Sequence, residues 1–349
     1  MQASPRRQPT LDEVAARAGV SRTAASRAIN DDPHVSQAKR EAVRRAVQEL
    51  GYVPNSTARA LATRRVGAVV LAVSSDEPTL FADPFFAEVT LGVSSFLEQT
   101  DLELILLLAH TPRGTERLRR ILAARRADGL MLMAVRGEDP LGRLAEQTEL
   151  PVVFGGLPLH GTPRWYVDPD NRGGGRLAAE HLARSGRQRI AMITGQVDLQ
   201  ASVAREQGFR EALTLAGLPL LAVEAGDFTL RGGESAMERL LAAHPDLDAV
   251  FAAGDGMALG ALRTLRHRGL RAPQDVAVVG FDDLASAPYA DPPLTTVRQP
   301  VRSLGREMAR MLVDVIDGRD PGSLILPTRL TVRESAPTPA PRADAGQAR

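Results

Sequence analysis

Two sets of side chains in this chain have the types and spacing to do chemistry, and both suit binding. Arg22, Thr23, Ser26, Arg27 and Asn30 fall on one side of a short helical stretch whose other side carries Ala25, Ala28 and Ile29. An Arg there can donate two hydrogen bonds to a guanine edge in the major groove, Thr offers a hydroxyl and a methyl, and the small alanines permit close approach. A polar helix face alone is more often merely solvated, so its neighbours decide. The second set lies just beyond successive apolar runs: Asp83, Phe85 and Phe86, then Arg205, Phe228, Asp255, Asp282 with Asp283, and Gln299. Carboxylates, one guanidinium and phenyl faces suit a sugar, whose hydroxyls pair with Asp and Arg while its apolar ring face stacks on Phe. Each has a plainer reading: Phe85 and Phe86 in a core, Asp255 as the N-cap of a helix at Met257, Asp283 as a loop brace.

The elements around the first set read as a helix-turn-helix. Thr10 with Glu13 forms a capping box, and Leu11, Val14, Ala15 and Ala18 repeat at the spacing of one buried helical stripe. Gly19 ends that helix, Val20 plugs the corner and Ser21 caps the next. A third helix, capped by Ser36, carries Val43, Ala46, Val47 and Leu50 and ends at Gly51. Pro54 disfavours helix at Val53, and Asn55 then caps about two turns, a helix too short to hold alone in water. Residues 55 to 63 therefore read as a hinge ordered by docking, with Leu61 either a wedge for a minor-groove base step or an ordinary packing residue.

Beyond the hinge the chain reads as α/β. Runs suited to buried parallel strands cover 66–73, 102–108, 129–134, 151–154, 190–194, 249–253 and 276–281, and helical stretches cover 86–99, 115–125, 174–185, 203–216, 232–243 and 257–268. Ligands of such sheets bind beyond the carboxyl ends of the strands, where the second set lies.

Residues 10 to 63 resemble the headpiece of the LacI-type (lactose repressor) family of bacterial transcription regulators, and family-like motifs run on to about residue 334. The resemblance implies an all-α head and hinge helix followed by a periplasmic-binding-protein-like body of two doubly wound parallel-sheet lobes. It implies that Arg22, Thr23 and Arg27 face bases, that Ser21, Asn30, His34 and Ser36 contact phosphates, and that Ala58 and Leu61 read the minor groove; Thr10, Ser26 and Asn55 complete the expected interface. It also places Asp83, Phe85, Phe86, Arg205, Phe228, Asp282 and Gln299, with Asp255 beside them, at an effector cleft between the lobes. Two departures stand out: Ala24-Ala25-Ser26-Arg27 where the family commonly has Thr-Val-Ser-Arg, and Gly254 where many relatives have Asn. The expected organisation is a disordered 1–9, a DNA-binding domain over 10–54, a hinge over 55–65, a body over 66–334 and a disordered tail over 335–349. Within the body, lobe one is expected over about 66–162 and 292–325, and lobe two over about 163–291 and 326–334.

Charge supports a phosphate-contacting head. Residues 1 to 65 carry twelve Lys plus Arg against six Asp plus Glu, net +6, whereas the whole chain is only +1. Enzymatic readings find no footing: Gly173-Gly174-Gly175 lacks the Lys-Ser/Thr of a phosphate loop, the six histidines show no metal spacing, and there is no cysteine. No catalytic residue, metal or cofactor is expected. His181 lies within a helical pattern and reads as structural. Without an 18-residue apolar stretch or secretory signal, the expected location is the cytoplasm. The expected partners are a pseudo-palindromic double-stranded DNA operator, a small-molecule effector of sugar type and a second copy of the chain, since the tail lacks the leucine heptads of a tetramerising coiled coil. The expected function is therefore a ligand-responsive repressor of a carbohydrate uptake or catabolism operon. The alternatives are a regulator answering a non-sugar effector such as a nucleobase, and a solute-binding protein of the same body fold.

Overall fold

The computed structural model describes residues 9–29, 32–52, 65–74 and 84–338, so the expected sites Asn30, Asn55, Ala58, Leu61 and Asp83 lie outside the described residues. Two compact units divide at Gly67.

The first unit holds α1 (Leu11–Ala18), α2 (Arg22–Ile29) and α3 (Gln37–Leu50). The Thr10–Glu13 box is present in both directions: the Glu13 N–H donates to Thr10 Oγ1 at 3.3 Å and the Thr10 N–H to Glu13 Oε2 at 2.8 Å. Gly19 and Gly51 end α1 and α3 at φ +67° and +62°, the left-handed conformation that glycine adopts without a Cβ penalty. The Ser21 hydroxyl accepts from the Ala24 N–H at 3.2 Å. Ser36 occupies the N-cap position of α3, but its side chain makes no capping bond, which corrects the expected cap. Val14, Ala15, Ala25, Ala28, Val43 and Ala46 close the three-helix core.

The second unit is built on two six-stranded sheets. Lobe one orders its strands β11-β5-β4-β3-β1-β2, from β1 (Ala68–Val73), β2 (Glu103–Leu108), β3 (Gly129–Met133), β4 (Val152–Gly155), β5 (Tyr166–Pro169) and β11 (Leu324–Leu326). Lobe two orders its strands β12-β10-β9-β8-β6-β7, from β6 (Ile190–Thr194), β7 (Leu220–Ala225), β8 (Ala249–Ala252), β9 (Ala277–Asp282), β10 (Thr295–Arg298) and β12 (Arg329–Thr331). The pairings are parallel except that of β10 with β12. Helices α4 (Pro84–Leu97), α5 (Pro112–Ala123), α6 (Pro140–Gln147) and α11 (Val301–Ile316) cover lobe one; α7 (Asn171–Arg184), α8 (Gln200–Leu215), α9 (Leu230–Ala243) and α10 (Asp255–His267) cover lobe two. Strand β1 shows why its run is apolar throughout. Val69, Leu71 and Val73 face one core while Val70 and Ala72 face the other, so both faces are covered.

The lobe boundaries differ from the sequence expectation. Phe154 and Gly155 pair with Tyr166 and Val167, so lobe one runs on to Pro169; Val297 pairs with Phe281, so 295–298 belongs to lobe two. The Gly/Pro signals near 161–163 and 292–293 mark turns that feed edge strands, and the chain crosses between lobes only after those strands, at 169–171, 298–301 and 326–329. The expected disordered tail also begins too early. Ser335 and Ala336 are buried in lobe two, where the Ser335 hydroxyl donates to Val278 O at 2.6 Å and His181 Nε2 meets Ala336 O at 2.7 Å.

Both lobes contain helix crossings tight enough to require glycine. A Cβ built on Gly175 of α7 would lie 2.1 Å from the Arg205 carbonyl oxygen of α8, and one on Gly208 would lie 1.9 Å from that of Arg172. The same arrangement joins α4 to α11 through Gly92 and Gly305, at 2.1 and 2.0 Å from Arg302 O and Val89 O.

Candidate functional site: an interlobe cleft and an exposed recognition helix

In the first unit, α2 is held by burial of Ala25 and Ala28 and presents Arg22, Thr23 and Arg27 to solvent, with Ser26 half-buried. Ser21, His34 and Ser36 are exposed nearby and Thr10 is half-buried at the start of α1. Arg22 and Arg27 make only loose, exposed ion pairs, with Asp12 at 3.6 Å and Asp32 at 3.7 Å. Exposed pairs of this length hold their guanidinium groups weakly, so both can turn to another acceptor at little cost.

In the second unit, the carboxyl ends of both sheets face one cleft of about 950 Å³, part of it open to solvent, a size that suits a small-molecule site. Of the expected effector residues, Phe85, Phe86, Arg205, Phe228, Asp282 and Gln299 line it. Phe85 and Phe86, at the start of α4, meet edge to face with centroids 5.3 Å apart. Arg205 is buried on α8, where Nε donates to Asn171 Oδ1 at 2.8 Å and Nη1 donates to Ala253 O. Its guanidinium carbon stands 3.7 Å from the Phe281 ring centroid, and Nη1 lies 3.7 Å from Asp282 Oδ1. Gln299 Nε2 donates to the same Asp282 oxygen, and the buried Gln299 Oε1 has no hydrogen-bond partner among the described residues. The result is a polar row running from one crossover (Asn171) through Arg205 and Asp282, joined by an ion pair, to another (Gln299).

Backbone strain concentrates at the same place. Ala134, Phe228, Asp282 and Asp283 all have positive φ, at +54°, +67°, +117° and +56°, and three of them line the cleft. Such conformations cost on the order of 1–3 kcal/mol each and persist where the surroundings enforce them, often at ligand sites.

Asp255 does not line the cleft. It is fully buried at the first turn of α10, where Gly254 takes the N-cap position, and its carboxylate accepts the Leu284 N–H at 2.8 Å and the Thr296 hydroxyl at 2.6 Å. The expected effector contact is instead a brace between β9 and β10. Burial first, and then the charge of Asp282, push its carboxyl well above the ordinary range.

Sequence reading missed Asp168, Asn171, Arg136 and Gln196, which also line the cleft. Asp168 sits on β5 and Asn171 opens α7, with the Asn171 amide donating to Asp168 Oδ1 at 3.1 Å. The available signal was the Asp-Pro-Asp-Asn run ending a short apolar stretch. Burial lifts the Asp168 carboxyl to about 6, against the lowering influence of Arg205 and Asn171. A carboxyl raised on folding binds its proton more tightly in the native state, so native stability declines as pH climbs from the ordinary carboxylate range through about 6. Asp168→Asn cannot ionise, and it is expected to gain on the order of 3 kcal/mol over the wild type above that window and nothing below it. Urea unfolding of both proteins at about pH 4 and about pH 7.5 measures this; parallel pH profiles would remove the burial effect from Asp168.

Residues 10–55 match the bacterial regulatory proteins of the lacI family, and residues 179–336 match the periplasmic binding protein-like domain. The chain is 49% identical over 337 residues to the HTH-type transcriptional regulator CelR of Thermobifida fusca, covering 95% of this chain and 99% of that one. It is 36% identical over 317 residues to the HTH-type transcriptional repressor PurR of Erwinia tasmaniensis, covering 89% and 91%. Among solved structures, a transcriptional regulator CelR-cellobiose complex is similar at 48% identity and TM-score 0.74, covering 94% of this chain and all of that one. A lac repressor dimer bound to operator and the anti-inducer ONPF is similar at 29% identity and TM-score 0.83, covering 95% and 100%. With an exposed polar face on α2 in the head, a two-lobed α/β body after it in the chain, and 49% identity to such a regulator across 95% of the chain, this chain belongs to the lacI family of bacterial regulatory proteins.

Proposed function

We propose that this regulator is a cytoplasmic homodimer that represses a carbohydrate operon by binding a pseudo-palindromic operator, and that a glucose disaccharide of cellobiose type in the interlobe cleft changes its operator affinity. The observation that carries the reading is the cleft itself: phenyl rings beside a buried Arg–Asp–Gln row, in a chain 48% identical to a regulator solved with cellobiose. Phe85, Phe86 and Phe228 offer faces to the apolar side of a pyranose, Asp282 and Gln299 Oε1 accept from hydroxyls, and Arg205 donates. Effector coupling of this kind is typically worth about 1–3 kcal/mol in operator affinity. The same phenyl rings favour a second reading, in which they stack on the flat face of a nucleobase effector. A mobility-shift titration on the DNA upstream of the regulator's own gene, with cellobiose in one arm and hypoxanthine in the other, tests both. Release or tightening by cellobiose alone supports the sugar; a response to hypoxanthine alone replaces it, and no shift with or without either ligand overturns the operator assignment.

At the head, Arg22, Thr23, Ser26 and Arg27 are assigned to base edges, and Thr10, Ser21, His34 and Ser36 to the phosphates beside them. Arg22→Ala is expected to cost about 1–3 kcal/mol at a single operator position, whereas His34→Ala weakens every sequence alike. Selection from a randomised operator reads the difference. An unchanged consensus for Arg22→Ala would mean that this residue reads no base.

A further inference from the structure

The turn that carries Asp282 is held from outside the cleft. Asp282 and Asp283 are consecutive non-glycine residues at φ +117° and +56°, so something must enforce their conformation. On one side, buried Asp255 accepts the Leu284 N–H at 2.8 Å. On the other stands the segment after β12. Arg333 Nη2 meets Asp283 Oδ1 at 2.6 Å, Nη1 donates to Leu294 O at 2.8 Å, and the Arg333 N–H donates to Thr295 Oγ1 at 2.8 Å. The Thr331 hydroxyl donates to the second Asp283 oxygen at 3.3 Å. The Asp283 and Arg333 side chains are only 7% and 18% exposed, so solvent screens their pairing little. Neither residue lines the cleft.

We propose that Arg333 is a positioning residue for effector recognition: by clamping Asp283 it holds Asp282 in the strained backbone that presents its carboxylate to Arg205, Gln299 and the ligand. The inference rests on the sugar reading above for its ligand and on the hydrogen bonds alone for its geometry. Removing the guanidinium strands a buried carboxylate beside a strained peptide, and the turn relaxes. Because the segment is independently anchored by Ser335, whose N–H donates to Pro293 O and whose hydroxyl donates to Val278 O, loosening the segment and releasing Asp283 are separable.

The experiment compares Arg333→Ala, Arg333→Lys and Ser335→Ala in the full-length dimer, by cellobiose calorimetry, sugar-free operator binding, thermal unfolding and amide exchange over residues 280–286. Arg333→Ala is expected to weaken cellobiose binding about tenfold or more and to raise the dose that changes operator binding by the same factor, with sugar-free operator affinity within about twofold of wild type. Arg333→Lys recovers part of the affinity, since it restores the charge without the fork. Ser335→Ala loses stability yet keeps cellobiose affinity within about threefold. Wild-type affinity in Arg333→Ala overturns the clamp, as does an affinity loss in Ser335→Ala matching its stability loss. If the wild type binds no cellobiose, the effector reading fails. Amide exchange then decides the clamp: faster exchange at 280–286 confined to Arg333→Ala supports it, and unchanged exchange overturns it.

Discussion

Arg205→Ala is expected to abolish the effector response while sugar-free operator binding stays within about threefold of wild type. The guanidinium does four things at once: it donates to Asn171 and to Ala253 O, lies over Phe281, and faces Asp282. Truncation leaves the Asp282 carboxylate, its side chain 11% exposed, without its counter-charge. Breaking a buried pair from one side costs about 3–5 kcal/mol, so the body also loses stability. Sugar affinity should fall by about a hundredfold or more, since the donor proposed to meet a ligand hydroxyl and the charge facing Asp282 disappear together. Arg205→Lys keeps a charge but loses the fork and the stacking plane, and is expected between the two. Calorimetry with cellobiose, paired with thermal unfolding, reads both effects. Retained sugar affinity in Arg205→Ala would move the effector site away from this row.

A methyl group at Gly175 should be as damaging as the loss of that side chain. The Cβ would meet the Arg205 carbonyl oxygen at 2.1 Å and the Phe209 nitrogen at 3.1 Å, both backbone atoms of α8 that cannot swing aside. The helices must separate; overpacking costs typically about 1–3 kcal/mol and occasionally more, and a contact with backbone atoms that cannot yield belongs at the upper end. The displaced residue is Arg205 itself, so sugar affinity falls with stability. Gly92→Ala forms the comparison, because its Cβ meets Arg302 O at the equivalent crossing of lobe one, also at 2.1 Å. It should lose similar stability with a smaller loss of sugar affinity. Gly186→Ala, at φ +81° with nothing within 4 Å of its Cβ, should cost only the left-handed backbone penalty of about 1–2 kcal/mol. Urea unfolding of the three variants ranks them, and a Gly175→Ala protein no weaker than Gly186→Ala would contradict the close crossing.

The head was legible almost residue by residue because its signals are local. A capping box spans three residues, a left-handed glycine stops a helix by its own conformational freedom, and the stripe of Val14 and Ala15 repeats within two turns. The central strands were legible for a related reason. A strand covered on both faces is apolar throughout, as Ala68–Val73 is, and no polar loop resembles it. That Arg205 and Asp282 line the cleft was legible because residues beyond strand ends in such sheets face the cleft, and the family pattern pointed to these two.

Other features had no local signature. The edge strands Tyr166–Pro169 and Thr295–Arg298 are short and half polar, and they are strands only because β4 and β9 supply their hydrogen-bond partners. The lobe boundaries moved with them. Asp255 and Asp282 are both carboxylates after apolar runs, indistinguishable by type, yet one is sealed between Leu284 and Thr296 while the other faces the cleft. Which of the two lines the cleft depends on groups about 30 to 40 residues away that fill the acceptor positions of the first. Asp168 likewise became a site residue through Arg205 and Asn171, which fold against it from the other lobe. The sequence by itself therefore determined what each segment would become wherever the decisive contacts lie within a few turns or the burial is two-sided. Only the tertiary structure decided which charged groups face the cleft and which brace it, because desolvation and hydrogen-bond saturation are properties of the assembled surroundings and not of the residue.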